Sequence, residues 1–329
     1  MKIARFVIGL AVSAVFAWAT LARTDIGAVG AALGRATLVG VLLCLVFALL
    51  EICLRAWRWR YLLSPLGKVR YRTALAYTCI GYFANLMLPM RLGDVARAYL
   101  AARALRLPRL ATLGSVVTER LADGLTILAV AFVLGLTVTG AWRIASTAAW
   151  IGLIVLLVGA AAALGVLVIN HERLAETRLS RALRKPIARL VSGADGVRTP
   201  AGFLVVLMST FASYLCAVAA LAAVAASVGL SISPQQAALA MAWLALSTAI
   251  PAAPGSVGTY EFVGVFVLST VLGQDRNAAL AAVVLLHVIS TLPSALVGLV
   301  MTWVLHVRVW RLEGAVASTS AVAAAVKAD

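Results

Sequence analysis

Acidic residues are scarce in this sequence. Twelve Asp and Glu stand against 28 Lys and Arg in 329 residues, and from residue 200 to residue 260 no charge of either sign occurs. Soluble domains carry about a quarter charged residues, so an ordinary aqueous fold is excluded. So few acids also exclude a cation channel, because no ring of carboxylates can be assembled from them. The four cysteines (Cys44, Cys53, Cys79, Cys216) lie inside apolar runs without a Cys-x-x-Cys pair. That excludes a disulfide framework and a zinc site. His171, His287 and His306 are far apart and read as buried or interfacial side chains, not as a ligand cluster. No metal and no cofactor is expected. The sequence has no P-loop for ATP, no His-Glu-x-x-His and no nucleophile elbow, so neither ATP-driven work nor hydrolysis is indicated.

What it has in abundance is apolar surface: 63% hydrophobic residues and a mean hydropathy of +1.03. Several runs reach the about 20 residues needed to cross a hydrocarbon core of roughly 30 Å. No recurrent alternation of the kind a membrane barrel requires is present. The expected fold is an all-α polytopic membrane protein. The net charge of +16 does not indicate nucleic acid, because the basic residues are confined to a few connecting segments. That is the positive-inside pattern, which also attracts anionic headgroups.

Lys2 and Arg5 precede an apolar run at 6–22. Ala17-x-Ala19 resembles a signal cleavage site, but an uncleaved first helix suits the remaining topology better. After a linker holding Arg23, Asp25 and Arg35, a second span at 37–54 ends in Glu51, Arg55, Arg58 and Arg60. Glu51 and Arg55 are four apart, so they share a helix face and can pair. Arg58 and Arg60 read as interfacial anchors, with Trp57, Trp59 and Tyr61 in the aromatic belt. The run at 74–90 is basic on both flanks: Lys68, Arg70 and Arg72 before it, Arg91, Arg97, Arg103, Arg106 and Arg109 after. A single crossing would put one flank on the wrong side. A re-entrant hairpin broken at Asn85, Pro89 and Gly93 removes the conflict.

A long helix from near Pro108 carries Glu119, Arg120 and Asp123 into the apolar stretch 121–139. A span at 148–169 follows, then a cytoplasmic segment at 171–199 with seven Lys and Arg and amphipathic character, lying on the membrane surface. The uncharged region divides into a span at 203–229 and a second helix at 235–250. That helix ends at Pro251, Pro254, Gly255 and Gly258, and the chain returns over 261–272. The last span, 278–307, holds Pro293 as a kink. An Ala/Ser-rich tail at 313–329 is expected to be disordered.

The expected domain is a single integral membrane unit, 1–312, with about six full spans and two re-entrant units. Its two halves, near 1–140 and 145–312, read as inverted repeats, the plan of many transporters. With both termini cytoplasmic, Arg23, Arg35, Arg143 and Arg276 face out, Arg120 lies in the membrane, and the other Lys and Arg face the cytoplasm.

Irregular backbone at membrane depth is tolerated only where it is buried in protein or lines a wet cavity. The two breaks are therefore the candidate site. Arg91 and Arg97, with Arg55 or Arg120, would bring guanidinium groups suited to holding phosphate through paired hydrogen bonds. A half-helix starting near Gly93 would add its positive end, and Asp94 would orient Arg91 or Arg97. Glu119 and Asp123 share a helix face, while Arg120 points elsewhere, towards Asp94. Glu261 could pair with an arginine, titrate or meet an amine; Asp94 and Glu119 are the other candidate proton carriers. Asn85 completes the expected binding set, and Pro89, Gly93, Pro251, Pro254, Gly255 and Gly258 the expected hinges.

Four motifs occur in a fixed order: Arg55-x-x-Arg58-Trp59, Asn85-x-x-x-Pro89-x-Arg91-x-Gly93-Asp94-x-x-Arg97, Glu119-Arg120-x-x-Asp123 and Pro254-Gly-x-x-Gly258-x-x-Glu261. Together they resemble the lysylphosphatidylglycerol synthase transmembrane-region family, over nearly all of the membrane part. The resemblance implies a flippase-like fold with two re-entrant segments in a bacterial inner membrane. The family's type member, the multiple peptide resistance factor, adds a soluble domain that makes the lipid. No such domain, and no aminoacyl transfer, is expected here.

The expected function is translocation of an amphiphile with a charged, phosphate-bearing headgroup through a cavity between the two breaks, without enzymatic activity. Two alternatives stay open. A glycosyltransferase-like membrane enzyme would want paired acids in an outside loop, where only Asp25 is available. An accessory subunit of a separately encoded lipid or glycolipid synthase would co-purify with that enzyme. The expected partners are membrane lipids and such a synthase, with no nucleic acid. Small residues abundant in the spans permit a homo-oligomer.

Overall fold

The computed structural model describes residues 2–88, 92–138, 186, 188–248, 250 and 253–306. The expected span at 148–169, His171, most of the amphipathic segment, Pro89, Arg91, Pro251 and the tail lie outside the described residues.

Every regular element among the described residues is helical. The chain runs through α1 (Lys2–Leu21), α2 (Ile26–Gly34), α3 (Leu38–Leu63), α4 (Tyr71–Met87), α5 (Gly93–Leu105) and α6 (Arg109–Val138). After residue 186 come α7 (Pro200–Ser227), α8 (Pro234–Ser247) and the short α9 (Thr259–Val265), which widens into a π-helical turn at Phe266–Val271. The last is α10 (Arg276–Val304). Helices α3, α7 and α10 are each long and apolar enough to cross a membrane, and α1 contributes a shorter apolar stretch, Gly9–Leu21.

Helix starts follow local chemistry. Thr37, Thr199 and Asp275 each accept a hydrogen bond from a backbone N–H of the helix they precede. Ser233 forms a reciprocal capping box with Gln236, with Pro234 in the first helical position. The expected linker after α1 is itself helical. Asp25 accepts from the N–H groups of Gly27 and Ala28 and so caps α2. Helix α3 does not stop near Leu54; it runs on to Leu63 and carries Arg55, Arg58 and Trp59 inward. Pro293 lies inside α10, which continues through it as one helix.

The main core lies where α3, α7, α8 and α10 meet. Cys44, Leu221, Val224, Leu244, Leu268, Val283 and Leu286 are all buried there. Gly40 of α3 lets the helices close up, because a Cβ on it would stand 2.5 Å from that of Ser227 in α7. A second core surrounds Trp59 with Leu63, Tyr77, Ile80, Ala98 and Val116. The described end of the amphipathic segment packs against protein. Val191 and Gly193 are buried, and Gly193 packs on Ala111 and Ser115 at the start of α6.

Candidate functional site

Three helices supply a charged cluster. On α3, Glu51, Arg55 and Arg58 fall at i, i+4 and i+7 and so share one face. Helix α6 presents Glu119, Arg120 and Asp123 to it, and α5 adds Asp94 and Arg97 from its first turns. Glu51 pairs with Arg55 at 2.8 Å, and Arg55 reaches Asp123 at 2.9 Å. Arg58 lies 2.7 Å from Asp123 and 3.2 Å from Glu119, and donates to Thr210 of α7. Arg97 lies 3.0 Å from Glu119 and 3.5 Å from Asp94. Arg120 touches Asp94 at 3.2 Å and both Glu119 and Asp123 at 3.4 Å.

Four guanidinium groups and four carboxylates thus balance among the described residues. Balance is what burial demands, since each unpaired ion moved out of water costs several kcal/mol. The Arg58 side chain is 0% exposed and that of Glu119 only 1%.

Arg58 and Trp59 are therefore core residues, not interfacial anchors. Trp59 donates from Nε1 to Ser115 and lies under the Arg97 guanidinium, whose carbon is 4.8 Å from the ring centre. Hydropathy cannot distinguish an arginine facing headgroups from one facing acids on a partner helix. The spacing of Arg58 from Glu51 and Arg55 carries the signal that could have found it. Trp57 does remain exposed and stacks on Tyr61.

At the first break the start of α5 packs against α4. Asn85 accepts the N–H of Gly93 at 2.8 Å through its side-chain oxygen. Gly93 sits so close to the Gly81 carbonyl and the Asn85 backbone that a Cβ would overlap both. Backbone atoms cannot swing aside, so Gly93→Ala is expected to cost about 1–3 kcal/mol as overpacking. A thermal unfolding midpoint in detergent equal to that of the wild type would show that α5 does not seat there.

The second break is held by α1 and α10. Gly255 and Gly258 have φ of 73° and 89°, where L side chains are strained. Ala253 donates its N–H to the Ser13 hydroxyl of α1 at 2.8 Å, and Gly258 abuts the Ser13 carbonyl. Phe16 and Phe262 pack with ring centres 4.8 Å apart. Glu261 accepts the Gly258 N–H at 2.6 Å with one carboxylate oxygen and meets His287 Nδ1 of α10 at 2.5 Å with the other. Its partner is thus a histidine. The sequence carries no local sign of this, because 26 residues separate the two.

Between the breaks lies a half-open cavity of about 360 Å³. Glu51, Arg55, Arg120 and Asp123 form its charged wall, with Tyr82 and Asn85 from α4 beside them. Gly255, Ser256, Tyr260 and His287 face them from the second break and α10. Among the residues expected from the sequence, Arg55, Asn85, Arg120, Asp123 and Gly255 line this space. Arg97 is 2% exposed and, with Glu119 and Asp94, stands behind the lining. Glu261 reaches the cavity lining through its contact with His287. Pro254, Gly258 and Gly93 shape the breaks without lining the cavity.

A helical membrane chain whose charged side chains converge on an internal, half-open cavity is the class that this fold and site define. Residues 6–298 match the family described as Lysylphosphatidylglycerol synthase TM region, and the chain belongs to that family. It is a multi-pass membrane protein of a lipid-related kind. No curated protein matches the sequence.

Proposed function

We propose that the protein moves a lipid between the leaflets of a membrane, its headgroup passing through the cavity while its tails stay in the bilayer. The observation that carries this reading is the cavity itself: a space inside apolar helices with a charged wall, bordered by both breaks. In this reading α4–α5 and α8–α9 are re-entrant units of two inverted halves. Such units tolerate broken backbone at membrane depth because protein or a wet cavity surrounds it.

The headgroup carries phosphate. Arg120 is the group suited to it: its side chain is the most exposed of the four arginines, at 32%, and its ion pairs are among the longest in the cluster. Its Nε is buried without a hydrogen-bond partner. A phosphate can replace those long contacts with shorter, paired ones.

The test is a flipping assay in proteoliposomes with fluorescent phospholipid, aminoacyl-lipid and polyprenyl-phosphate probes. Headgroup-selective flipping by the wild type is expected. Folded protein that flips none of them would overturn the translocator reading.

A further inference from the structure

We infer that a proton travels with each headgroup, carried by His287. This rests on the translocator reading and adds a second cargo to it. Nδ1 of His287 and a carboxylate oxygen of Glu261 are 2.5 Å apart. At that distance one proton must lie between them, since two lone pairs would otherwise face each other. His287 lines the cavity, so the pair presents its imidazole to that space. Nδ1 is committed to Glu261, which leaves Nε2 as the atom that can take a second proton from cavity water and return it to water.

The surroundings suit this step. The Tyr260 ring centre is 4.4 Å from that of His287, and the charged or titratable groups that share the cavity with them are Glu51 and Arg55 of α3, Tyr82 of α4, and Arg120 and Asp123 of α6. The parts of α1 that pack on this break, Ser13 and Phe16, carry no charge, and α8 carries none anywhere. The imidazolium formed is balanced by Glu261. It also turns a hydrogen-bond donor and a positive charge towards the cavity. A phosphate entering the cavity therefore favours the proton, and the proton favours the phosphate to the same degree, because such coupling is reciprocal. Glu261 also bonds the N–H of Gly258, a residue of positive φ at the break. Each change of charge on the pair is thereby felt by the backbone that closes this side of the cavity.

The experiment follows the distribution of a trace fluorescent anionic phospholipid in proteoliposomes with and without a pH difference of one unit. One proton per lipid predicts an even distribution without the gradient and up to about a tenfold asymmetry with it, the ratio of the proton activities. His287→Asn keeps a donor near the Nδ1 position but cannot titrate, and Glu261→Gln removes the counter-charge. Both are expected to abolish the asymmetry, whatever their speed. Wild-type flipping that ends evenly distributed despite the gradient would overturn the proton alone; absence of all flipping would overturn the translocator reading with it. A measurement on unaltered His287 guards against variants that do not fold. In a His171→Gln, His306→Gln background, the 15N signal of His287 Nε2 should move to its protonated position when a short-chain phosphate lipid is added. An unmoved signal overturns the assignment.

Discussion

Arg58→Ala should remove a large share of the protein's stability. Arg58 holds Asp123 and Glu119 together at the junction of α3, α6 and α7, and its side chain is fully buried. Removing it leaves four carboxylates to three guanidinium groups, one negative charge uncompensated in a buried cluster, and breaking a buried pair in this way costs about 3–5 kcal/mol. Total stabilities are roughly 5–15 kcal/mol. The measurement is the unfolding midpoint and the monodisperse fraction in detergent. Arg60→Ala is the control, because Arg60 bonds the Val69 carbonyl and belongs to no ion pair among the described residues. Equal midpoints for the two variants would mean that the cluster does not form.

Arg120→Lys should fold and yet flip lipid about 10- to 100-fold more slowly. Lysine keeps the charge that balances Asp94, Glu119 and Asp123, so the cluster stays neutral. It cannot offer two parallel N–H groups to a phosphate. Hydrogen bonds to charged groups contribute about 1.5–3 kcal/mol, and 1.4 kcal/mol is a factor of ten. The initial flipping rate of the best probe, at matched protein content, reads the effect. An unchanged rate would remove Arg120 from the headgroup's path and shift attention to Arg55, the other arginine of the cavity wall.

How far these features could be read from the sequence depended on range. Contacts a few residues apart were legible: the Glu51–Arg55 pair rests on helix periodicity. The reach of Arg120 to Asp94 was also anticipated, because both are rare charges in an apolar chain, but Arg120 does not point away from Glu119 and Asp123: its long side chain pairs with both. Helix α2 was not anticipated, since its nine residues, Ile26–Gly34, read as a linker between two longer runs. Arg58 was misplaced because composition near a helix end reports polarity without reporting which neighbour faces it. His287 was legible only as a histidine in a long apolar helix. Its role depends on Glu261 being turned towards it by the positive-φ backbone at Gly258, a conformation with no composition of its own.

The contact between Ser13 and Ala253 spans 240 residues, and this sets an order of assembly during synthesis. The ion-paired wall needs α3, α5 and α6, all made before residue 139 and joined later by Thr210 of α7. The opposite wall cannot form until residues 253–287 have left the ribosome. At about 5–20 residues per second, α1 waits roughly 10–50 s for the segment it will hold. Throughout that interval the Ser13 hydroxyl must find a different companion, and the growing chain displays half a chamber whose arginines already have their acids.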